Sequence, residues 1–315
     1  MVSDLLQEGI TAVEEKLRSV VNSDVTVLED ASLHIITSGG KRLRPRLVML
    51  AYLAAGGQNL EEVIPMAAAV EMVHTATLVH DDINDHSLTR RGKVTIHARW
   101  GRTFALLTGD FLFTKVYQMM APYGAPYNII MADACSQLVE GETLQAAAAK
   151  AGKMDRETYK KIISLKTASL FEASSRMGAM LAGADEEMVE ALREYAYNLG
   201  LTFQIVDDIL DIIGDPEKLG KPVGTDLVQG RGVLATENGE VVLEQLEEPT
   251  VTAVAESDPL QEMLARLRES GAVDVARMQA IEVAERARTA LYRLPPSPAR
   301  DEMESLIDLV LNRDR

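Results

Sequence analysis

The sequence has little cysteine, little positive charge and no long apolar run. Cys135 is the single cysteine among 315 residues, so no disulfide bond can form within the chain. The formal net charge of −16 at pH 7 argues against a nucleic-acid-binding protein, whose surface is generally basic. No run of about 18 apolar residues occurs, so we expect no helix that spans a membrane.

The N-terminal segment, residues 1–20, is acidic and amphipathic. It lacks the basic start and the apolar core of a signal peptide. Because a single cysteine also fits a reducing compartment, we expect a cytoplasmic protein. The negative net charge is compatible with an anionic substrate only where local cations or bound metal ions surround it.

Helical periodicity dominates the chain, because apolar residues recur at spacings of three and four positions over six segments. These segments are 47–55, 63–80, 103–120, 127–149, 156–181 and 186–213. Alternation with a period of two is scarce, and its best example, residues 239–243, is short. The pattern predicts an all-α protein. We expect one large helical bundle that forms a single domain over residues 1–315, with a divergent acidic loop at about 233–259.

Two segments carry the pattern Asp-Asp-x-x-Asp directly after apolar residues, at 81–85 and 207–211. On a helix, residues four apart share a face, so the outer aspartates of each segment project together and repel each other. Mg²⁺ relieves this repulsion, because it prefers carboxylate oxygens and usually combines one or two of them with substrate phosphates. The predicted magnesium ligands are Asp81, Asp82, Asp85, Asp207, Asp208 and Asp211.

A second kind of metal site is weighed against this one. Glu71 and His74 have the Glu-x-x-His spacing of di-iron helical bundles. Such a centre needs a second Glu-x-x-His on another helix, and the sequence contains none. The spacing therefore gives little support to a di-iron protein.

Four basic segments accompany the two acid motifs along the chain. They are residues 39–45, 90–93, 166–167 and 221–222. Glycines before a helix N-terminus suit phosphate binding, and arginine offers bidentate hydrogen bonds to phosphate. Cations and carboxylates in alternation are what a site for a diphosphate and Mg²⁺ requires, so the combination predicts such a site.

The ordered series of these motifs resembles the trans-polyprenyl diphosphate synthases, the family that includes farnesyl, geranylgeranyl and octaprenyl diphosphate synthases. The likeness extends from about Gly39 to Asp226 and is closest to the long-chain, octaprenyl-like members. It also includes Gly109-Asp110, Glu140-Gly141-Glu142 and Gly220-Lys221-Pro222. The resemblance implies the isoprenoid synthase fold of antiparallel helices around a central cavity, a homodimer, and three Mg²⁺ ions in each active site.

The resemblance further implies a reaction and its substrates. An allylic diphosphate, with farnesyl or geranylgeranyl diphosphate as the expected primer, condenses with isopentenyl diphosphate to give a longer all-trans product. The diphosphate leaves the allylic carbon, and the double bond of isopentenyl diphosphate attacks that carbon. The carbocation formed by this attack then loses a proton, which the departing pyrophosphate takes. No protein nucleophile is needed, which agrees with the absence of a recognisable Ser-His-Asp pattern.

Residue roles follow from the same resemblance. Isopentenyl diphosphate would contact four residues: Lys41, Arg44, His74 and Arg91. The allylic diphosphate would contact three: Arg90, Lys166 and Lys221. Two more would line the allylic side near the reacting carbon: Thr167 and Gln204.

Product length is expected to depend on residues before the first acid motif. In the resembling family, bulky aromatic residues four or five positions before that motif give short products. Ala76 and Thr77 occupy these positions here and are small, so we expect a long product, about C30 to C50 by that resemblance. Met119 and Met120 are candidates for the floor that stops the chain, although ordinary core packing is an equal alternative.

Two other functions remain open at this point. A class I terpene cyclase shares the fold and the first acid motif, but its second motif normally contains Asn, Ser and Glu. A non-catalytic subunit of a heteromeric synthase would lack the acid motifs, and both are present here. After Asp226 the sequence departs from the family pattern, so the role of Arg231 is uncertain.

Overall fold

The computed structural model describes residues 2–214, 264–265 and 267–313. Twelve α-helices of these residues are named here in chain order: α1 (Val2–Val20), α2 (Thr26–Ile36), α3 (Leu43–Ala54), α4 (Ile64–Asn84), α5 (Ile96–Trp100), α6 (Arg102–Met120), α7 (Ala125–Ala151), α8 (Arg156–Ile163), α9 (Ser169–Leu181), α10 (Glu186–Ile213), α11 (Ala272–Leu291) and α12 (Pro298–Leu311). Short 3₁₀ turns cover Leu60–Glu62 and Ala121–Tyr123, and one π-helical turn covers Ser164–Ala168.

The predicted all-α class is confirmed, and most predicted helices have nearly the expected ends. One segment differs in kind. The helix predicted over 156–181 is interrupted at Ser164–Ala168, where the backbone makes a π-helical turn. The strand candidate at 239–243 and the acidic loop at about 233–259 lie outside the described residues.

A two-stranded hairpin, which the sequence analysis did not predict, follows the first acid motif. Strand β1 (Thr89–Arg90) pairs antiparallel with β2 (Lys93–Val94). The two turn residues both have positive φ, 51° at Arg91 and 74° at Gly92, as in a type I′ turn. Glycine accepts this conformation readily, whereas arginine adopts it at a cost in strain.

The chain divides into two compact units. The first comprises Met1–Ser136, Leu170–Ala196 and Arg288–Leu306, and the second comprises Gln137–Ser169, Tyr197–Ala287 and Ile307–Arg315. The first acid motif lies in the first unit and the second acid motif lies in the second. The expectation of a single domain over residues 1–315 remains a prediction.

Helix α4 forms the centre of the first unit. It packs against α1, α3 and α6, and its middle is buried on every side. This explains its sequence, because a helix that is apolar all round belongs in a core rather than at a surface. The fully buried residues of its middle are Ala67, Ala68, Ala69, Val70, Met72, Val73 and Ala76. The first acid motif is therefore mounted at the end of a deeply buried helix of this unit.

The core of the second unit joins α8, the last turns of α10 and the start of α11. Isoleucines contribute much of it: Ile162, Ile163, Ile205, Ile209 and Ile212 are all buried there. Residues 205–212 place apolar side chains into this core between the aspartates of the second acid motif. The carboxylates of that motif consequently lie at the edge of a packed apolar cluster.

None of the helices in the described part of the chain is long and apolar enough to cross a membrane.

Candidate active site

The first acid motif lies at the C-terminal end of α4. Asp81 and Asp82 occupy its last turn and Asp85 is its C-cap. Carboxylates at this end of a helix are unfavourable, because the backbone carbonyls there already carry partial negative charge. Three of them in one turn therefore require positive charge nearby.

One such positive charge comes from the hairpin. Arg90 on β1 donates a hydrogen bond from Nε to Oδ1 of Asp82 at 2.7 Å, and the Asp82 side chain is only 3% exposed. Burial raises the pKa of the Asp82 carboxyl, and the guanidinium of Arg90 acts in the opposite direction. Asp82 therefore holds Arg90 in place at the edge of the motif.

The neighbouring Arg91 reaches the glycine loop before α3. Its Nη1 contacts the carbonyl oxygen of Gly39. A Cβ added at Gly40 would lie 2.7 Å from Nη1 of Arg91, so a larger residue would push this side chain away. The Gly39-Gly40 pair thus lets an arginine from a distant hairpin lie against the loop.

Glu71 and Arg42 form a buried ion pair beneath this loop. Arg42 Nη1 donates to Glu71 Oε1 at 2.8 Å, and the two side chains are 6% and 3% exposed. Arg42 has a positive φ of 50° at the N-cap of α3. Because Glu71 is committed to a guanidinium, it does not act as a ligand of a di-iron centre. The structure thereby explains the Glu-x-x-His spacing without a metal.

His74 lies one turn after Glu71 on α4, amid four arginines. Burial lowers the pKa of its imidazole well below the usual value, and nearby guanidinium groups lower it further: Arg44, Arg91, Arg90 and Arg42. The imidazole is therefore neutral at neutral pH. A protein that gathers this much positive charge around one neutral side chain provides a site for an anion.

Arg44, another predicted phosphate contact, lies in the same cluster. Burial lowers the pKa of its guanidinium to about 10, and Glu71 opposes this effect. The guanidinium carbon lies 4.8 Å from the centre of the Phe171 ring. Nε of Arg44 is buried and has no hydrogen-bond partner among the described residues. A buried donor without an acceptor is costly, which favours an anionic ligand at this position.

Lys41, the fourth predicted contact of isopentenyl diphosphate, is exposed just before α3. The structure thus brings three of the four predicted residues into one cationic cluster of the first unit: Arg44, His74 and Arg91. Arg90 and Arg42 belong to the same cluster, although the sequence analysis assigned Arg90 to the allylic diphosphate and gave Arg42 no role.

The second acid motif occupies the last two turns of α10. Arg313 donates from Nη2 to Oδ1 of Asp207 at 2.7 Å, and also to the carbonyl oxygen of Phe203 at 3.0 Å. The guanidinium carbon lies 4.0 Å from the centre of the Phe203 ring. Burial lowers the pKa of Arg313, and Asp207 opposes that effect. Arg313 was missed in the sequence analysis, because a single arginine 106 positions away gives no local signal.

Asp208 is held differently, by neutral donors. Tyr159 on α8 donates from its hydroxyl to Oδ2 of Asp208 at 2.6 Å, and Gln204 donates from Nε2 to Oδ1 at 2.9 Å. Thr167 in turn donates to Oε1 of Gln204 at 2.8 Å. The predicted pair Thr167 and Gln204 are therefore in direct contact. Tyr159 was missed in the sequence analysis, since it looks like an ordinary core residue of a helix.

The π-helical turn positions Lys166 and Thr167. One extra residue in a helical turn changes the direction of the side chains that follow, and such turns are frequent at functional sites. Gly141 of α7 fits closely here, because a Cβ at this residue would lie 2.7 Å from the backbone nitrogen of Lys166. Nζ of Lys166 contacts the carboxylate of Glu142 and lies 3.4 Å from Oε1 of Gln145. The Glu-Gly-Glu motif thus fixes the predicted diphosphate lysine.

The donor set of the two acid motifs fits Mg²⁺ in kind. Among residues 2–214, 264–265 and 267–313, however, no three His, Cys, Asp or Glu side chains lie close enough to hold a metal by themselves. Mg²⁺ usually keeps waters and takes substrate phosphates beside one or two carboxylates, so a complete protein cage is not required. The predicted Lys221 lies outside the described residues, as do the uncertain Arg231 and the Gly220–Pro222 segment.

The predicted chain-length residues lie on α4 and α6, which pack against each other. Ala76, Met119 and Met120 are buried, and Thr77 is half-buried with its hydroxyl bonded to the carbonyl oxygen of His74 at 2.8 Å. Close packing of the two helices depends on Gly109, where a Cβ would lie 2.2 Å from Nε2 of His80. This contact explains Gly109 of the quoted Gly-Asp motif.

Comparisons with known proteins find relatives of one family. A family model described as Polyprenyl synthetase matches residues 25–237. Octaprenyl diphosphate synthase of Escherichia coli (strain K12) is 34% identical over 319 residues, which cover 100% of this chain and 98% of that protein. Short chain isoprenyl diphosphate synthase of Methanothermobacter thermautotrophicus is 33% identical over 323 residues, with 99% of each chain covered.

Solved structures share the fold. The polyprenyl synthase from Caulobacter crescentus CB15, complexed with calcium and isoprenyl diphosphate, aligns with a TM-score of 0.88 at 33% sequence identity. The alignment covers 99% of this chain and 97% of that one.

Proposed function

This chain belongs to the polyprenyl synthetase family, and from that premise we propose that it is a magnesium-dependent trans-prenyltransferase. It condenses an allylic diphosphate with isopentenyl diphosphate to give a longer all-trans polyprenyl diphosphate. The observation that carries this proposal is the arginine cluster around neutral His74, beside an aspartate motif on the same helix. A bound diphosphate would neutralise the arginines, and Mg²⁺ would neutralise the aspartates.

The cationic cluster of the first unit binds isopentenyl diphosphate. Arg44 and Arg91 supply charge and N–H donors, and neutral His74 adds a hydrogen bond without further repulsion among the arginines. The free Nε of Arg44 finds its acceptor in a phosphate oxygen. Lys41 at the exposed rim completes the contact. Anion binding of this kind is mostly a matter of fixed charge, which acts strongly where water is excluded.

The allylic diphosphate is held by Lys166, with Arg90 and Lys221 as further cations. Lys166 is oriented in advance by Glu142 and Gln145, so little reorganisation is needed when the substrate binds. When bound, Mg²⁺ supplies positive charge that stabilises the departing diphosphate. The double bond of isopentenyl diphosphate attacks the allylic carbon as its bond to the diphosphate oxygen breaks, and pyrophosphate takes the proton.

A direct assay tests this function. Purified protein is incubated with Mg²⁺, farnesyl diphosphate and labelled isopentenyl diphosphate. The expected result is a labelled product longer than the primer. Pyrophosphate release without extension would instead indicate a terpene cyclase, and turnover only after addition of a second protein would indicate a subunit of a heteromeric synthase.

A long product is the finer part of the proposal. The relatives named above include an octaprenyl and a short-chain synthase, so family membership alone does not fix product length. Ala76 is small and buried on α4. In this proposal the prenyl chain passes this position, and an aromatic ring here would block it. Met119 and Met120 are buried at the C-terminal end of α6 and are the proposed floor of this path.

Replacing Ala76 tests the product-length proposal. Ala76→Leu should shorten the product and Ala76→Tyr should shorten it further, because each added side chain occupies more of the prenyl path. Ala76→Ser, which adds little volume, should leave the length unchanged. Product chains are measured by reversed-phase chromatography after phosphatase treatment. Equal lengths for all four proteins, with all four active, would exclude Ala76 from the path.

A homodimer is proposed from the surface of α6. Phe104 and Leu107 are 42% and 50% exposed, and they share a helical face with half-buried Phe111. Apolar side chains grouped in this way on one face are typical of a protein interface. A second copy of the chain covers them. Sedimentation equilibrium of the wild type and of Leu107→Glu tests this, since only the wild type should have twice the mass of 34.4 kDa.

A further inference from the structure

We infer that Tyr159 is a positioning residue of the active site. Its hydroxyl anchors the carboxylate of Asp208, and Asp208 sets the direction of the hydrogen bonds made by Gln204 and Thr167. The inference rests on the proposed function, because that function places Thr167 and Gln204 beside the reacting allylic carbon. It gives a role to a tyrosine for which the family resemblance supplied none.

The four side chains form a continuous chain of short hydrogen bonds. Tyr159 lies 2.6 Å from Oδ2 of Asp208, and Gln204 lies 2.9 Å from Oδ1 of the same carboxylate. Thr167 lies 2.8 Å from the amide oxygen of Gln204. Both oxygens of Asp208 therefore receive a hydrogen bond from a neutral donor.

The direction of these bonds follows from the chemistry of the groups. An ionised carboxylate only accepts hydrogen bonds, so Gln204 must present its amide nitrogen to Asp208. Its amide oxygen then faces Thr167, and the threonine hydroxyl must donate to it. The single hydroxyl proton of Thr167 is thereby used, and Oγ1 offers only lone pairs to a substrate. Such an oxygen can face a developing positive charge on carbon without supplying a proton.

Tyr159 is suited to start this chain. It is buried in the apolar core of the second unit, next to isoleucines of α8 and α10. Its hydroxyl lies 2.6 Å from Oδ2 of Asp208, and because an ionised carboxylate only accepts hydrogen bonds, the tyrosine hydroxyl is the donor. Without this donor, Oδ2 of Asp208 loses the hydrogen bond from Tyr159, and the orientation of the carboxylate toward Gln204 is less restricted.

Tyr159→Phe removes only the hydroxyl and keeps the ring that packs in the core. We expect kcat to fall about tenfold, because small misplacements of groups near reacting atoms have large effects on rate. The KM for isopentenyl diphosphate should stay unchanged, since its predicted contacts lie in the first unit. Steady-state kinetics with each substrate varied in turn, together with the melting temperature, measure these quantities.

Tyr195→Phe is a matched control. Tyr195 is fully buried on α10 and donates its hydroxyl to the carbonyl oxygen of Met303 at 2.7 Å, so its removal costs a comparable buried hydrogen bond. It does not touch Asp208. This variant should lose stability but keep the wild-type kcat. An equal fall in kcat for both variants would mean that Tyr159 acts through general stability, and would overturn the inference.

A double-mutant cycle with Asp208→Ala, which leaves no acceptor for the tyrosine hydroxyl, tests whether Tyr159 acts through Asp208. Once the carboxylate is gone, removing the tyrosine hydroxyl should lower kcat no more than about twofold further. Full multiplication of the two separate losses would contradict the inference. A wild-type protein that fails to extend farnesyl diphosphate overturns the proposed function and this role together. If the wild type extends and Tyr159→Phe turns over equally fast, only the role of Tyr159 is overturned.

Discussion

The two acid motifs have the same sequence pattern but different surroundings. In the first, the middle aspartate, Asp82, pairs with the guanidinium of Arg90. In the second, the middle aspartate, Asp208, is held by the neutral donors Tyr159 and Gln204. An ion pair balances charge, whereas a hydrogen bond from a neutral donor fixes the direction of a carboxylate without itself balancing the charge. Identical motifs can therefore serve binding in one place and precise orientation in another.

The largest expected effect comes from replacing one aspartate of each motif, Asp81 in the first and Asp208 in the second. Asp81→Ala should lower kcat/KM by about three orders of magnitude, because a carboxylate that binds Mg²⁺ acts directly on the leaving diphosphate. Asp208→Asn should lower it far less, since asparagine keeps the shape and one acceptor oxygen. Steady-state assays at saturating Mg²⁺ measure both variants.

Asp24→Ala is the control for these two variants, because Asp24 is exposed before α2 and far along the chain from either motif. It should behave as the wild type. Equal losses for Asp81→Ala and Asp208→Asn would show that Asp208 contributes as much as a direct magnesium ligand, and its assignment to orientation would then be wrong.

The second motif also contains one ion pair, because Arg313 pairs with Asp207. Its guanidinium occupies an oxygen of a predicted magnesium ligand whose side chain is 45% exposed. Arg313→Ala should therefore raise the affinity for Mg²⁺ several-fold in the absence of substrate, since a competing positive charge is removed. Isothermal titration calorimetry with Mg²⁺ measures this affinity.

Arg313→Lys, which keeps a positive charge at this position, is the matched variant and should bind Mg²⁺ like the wild type. A weaker affinity in Arg313→Ala would instead mean that the arginine holds Asp207 in the orientation that the metal needs.

The smallest expected effect concerns the arginine-rich surroundings of His74. Burial and the nearby arginines lower the pKa of His74 in the folded protein below the value of about 6.5 in an unfolded chain. Below that pH the unfolded state binds a proton that the folded state does not. Stability should therefore fall as the pH falls, by up to about 1.4 kcal/mol per pH unit from this group.

His74→Gln removes this titration, so its free energy of unfolding should depend less on pH between 7 and 5.5 than that of the wild type. Urea unfolding at several pH values measures the difference. His86→Asn is the control, because His86 is exposed and asparagine tolerates its φ of 53°. Parallel pH curves for the wild type and His74→Gln would contradict the role assigned to the arginine cluster.

Local sequence patterns predicted much of this protein for a physical reason. Periodic apolar residues specify a helix wherever one face is buried, so five of the six predicted segments appear with small differences at their ends. The π-helical turn at Ser164–Ala168 was not predicted, because no local pattern signals it; its backbone at Lys166 lies close to Gly141 of another helix. The hairpin was missed because each strand has only two residues.

The candidate site was predictable to the same extent. Aspartates at positions i and i+4 and glycines before basic residues are local patterns, and their chemistry with Mg²⁺ and phosphate follows from residue type. The partners of those residues are not local. The pairings of Arg42 with Glu71 and of Arg313 with Asp207 join residues 29 and 106 positions apart.

The sequence by itself determined which residues form helices, where the carboxylates and cations stand along the chain, and hence the class of chemistry. Only the tertiary structure determined which carboxylate pairs with a guanidinium and which accepts from a tyrosine. The reason is that helical periodicity and side-chain chemistry act over one or two turns. Burial, hydrogen-bond direction and the pKa of a group such as His74 depend on whatever distant segments packing brings beside it.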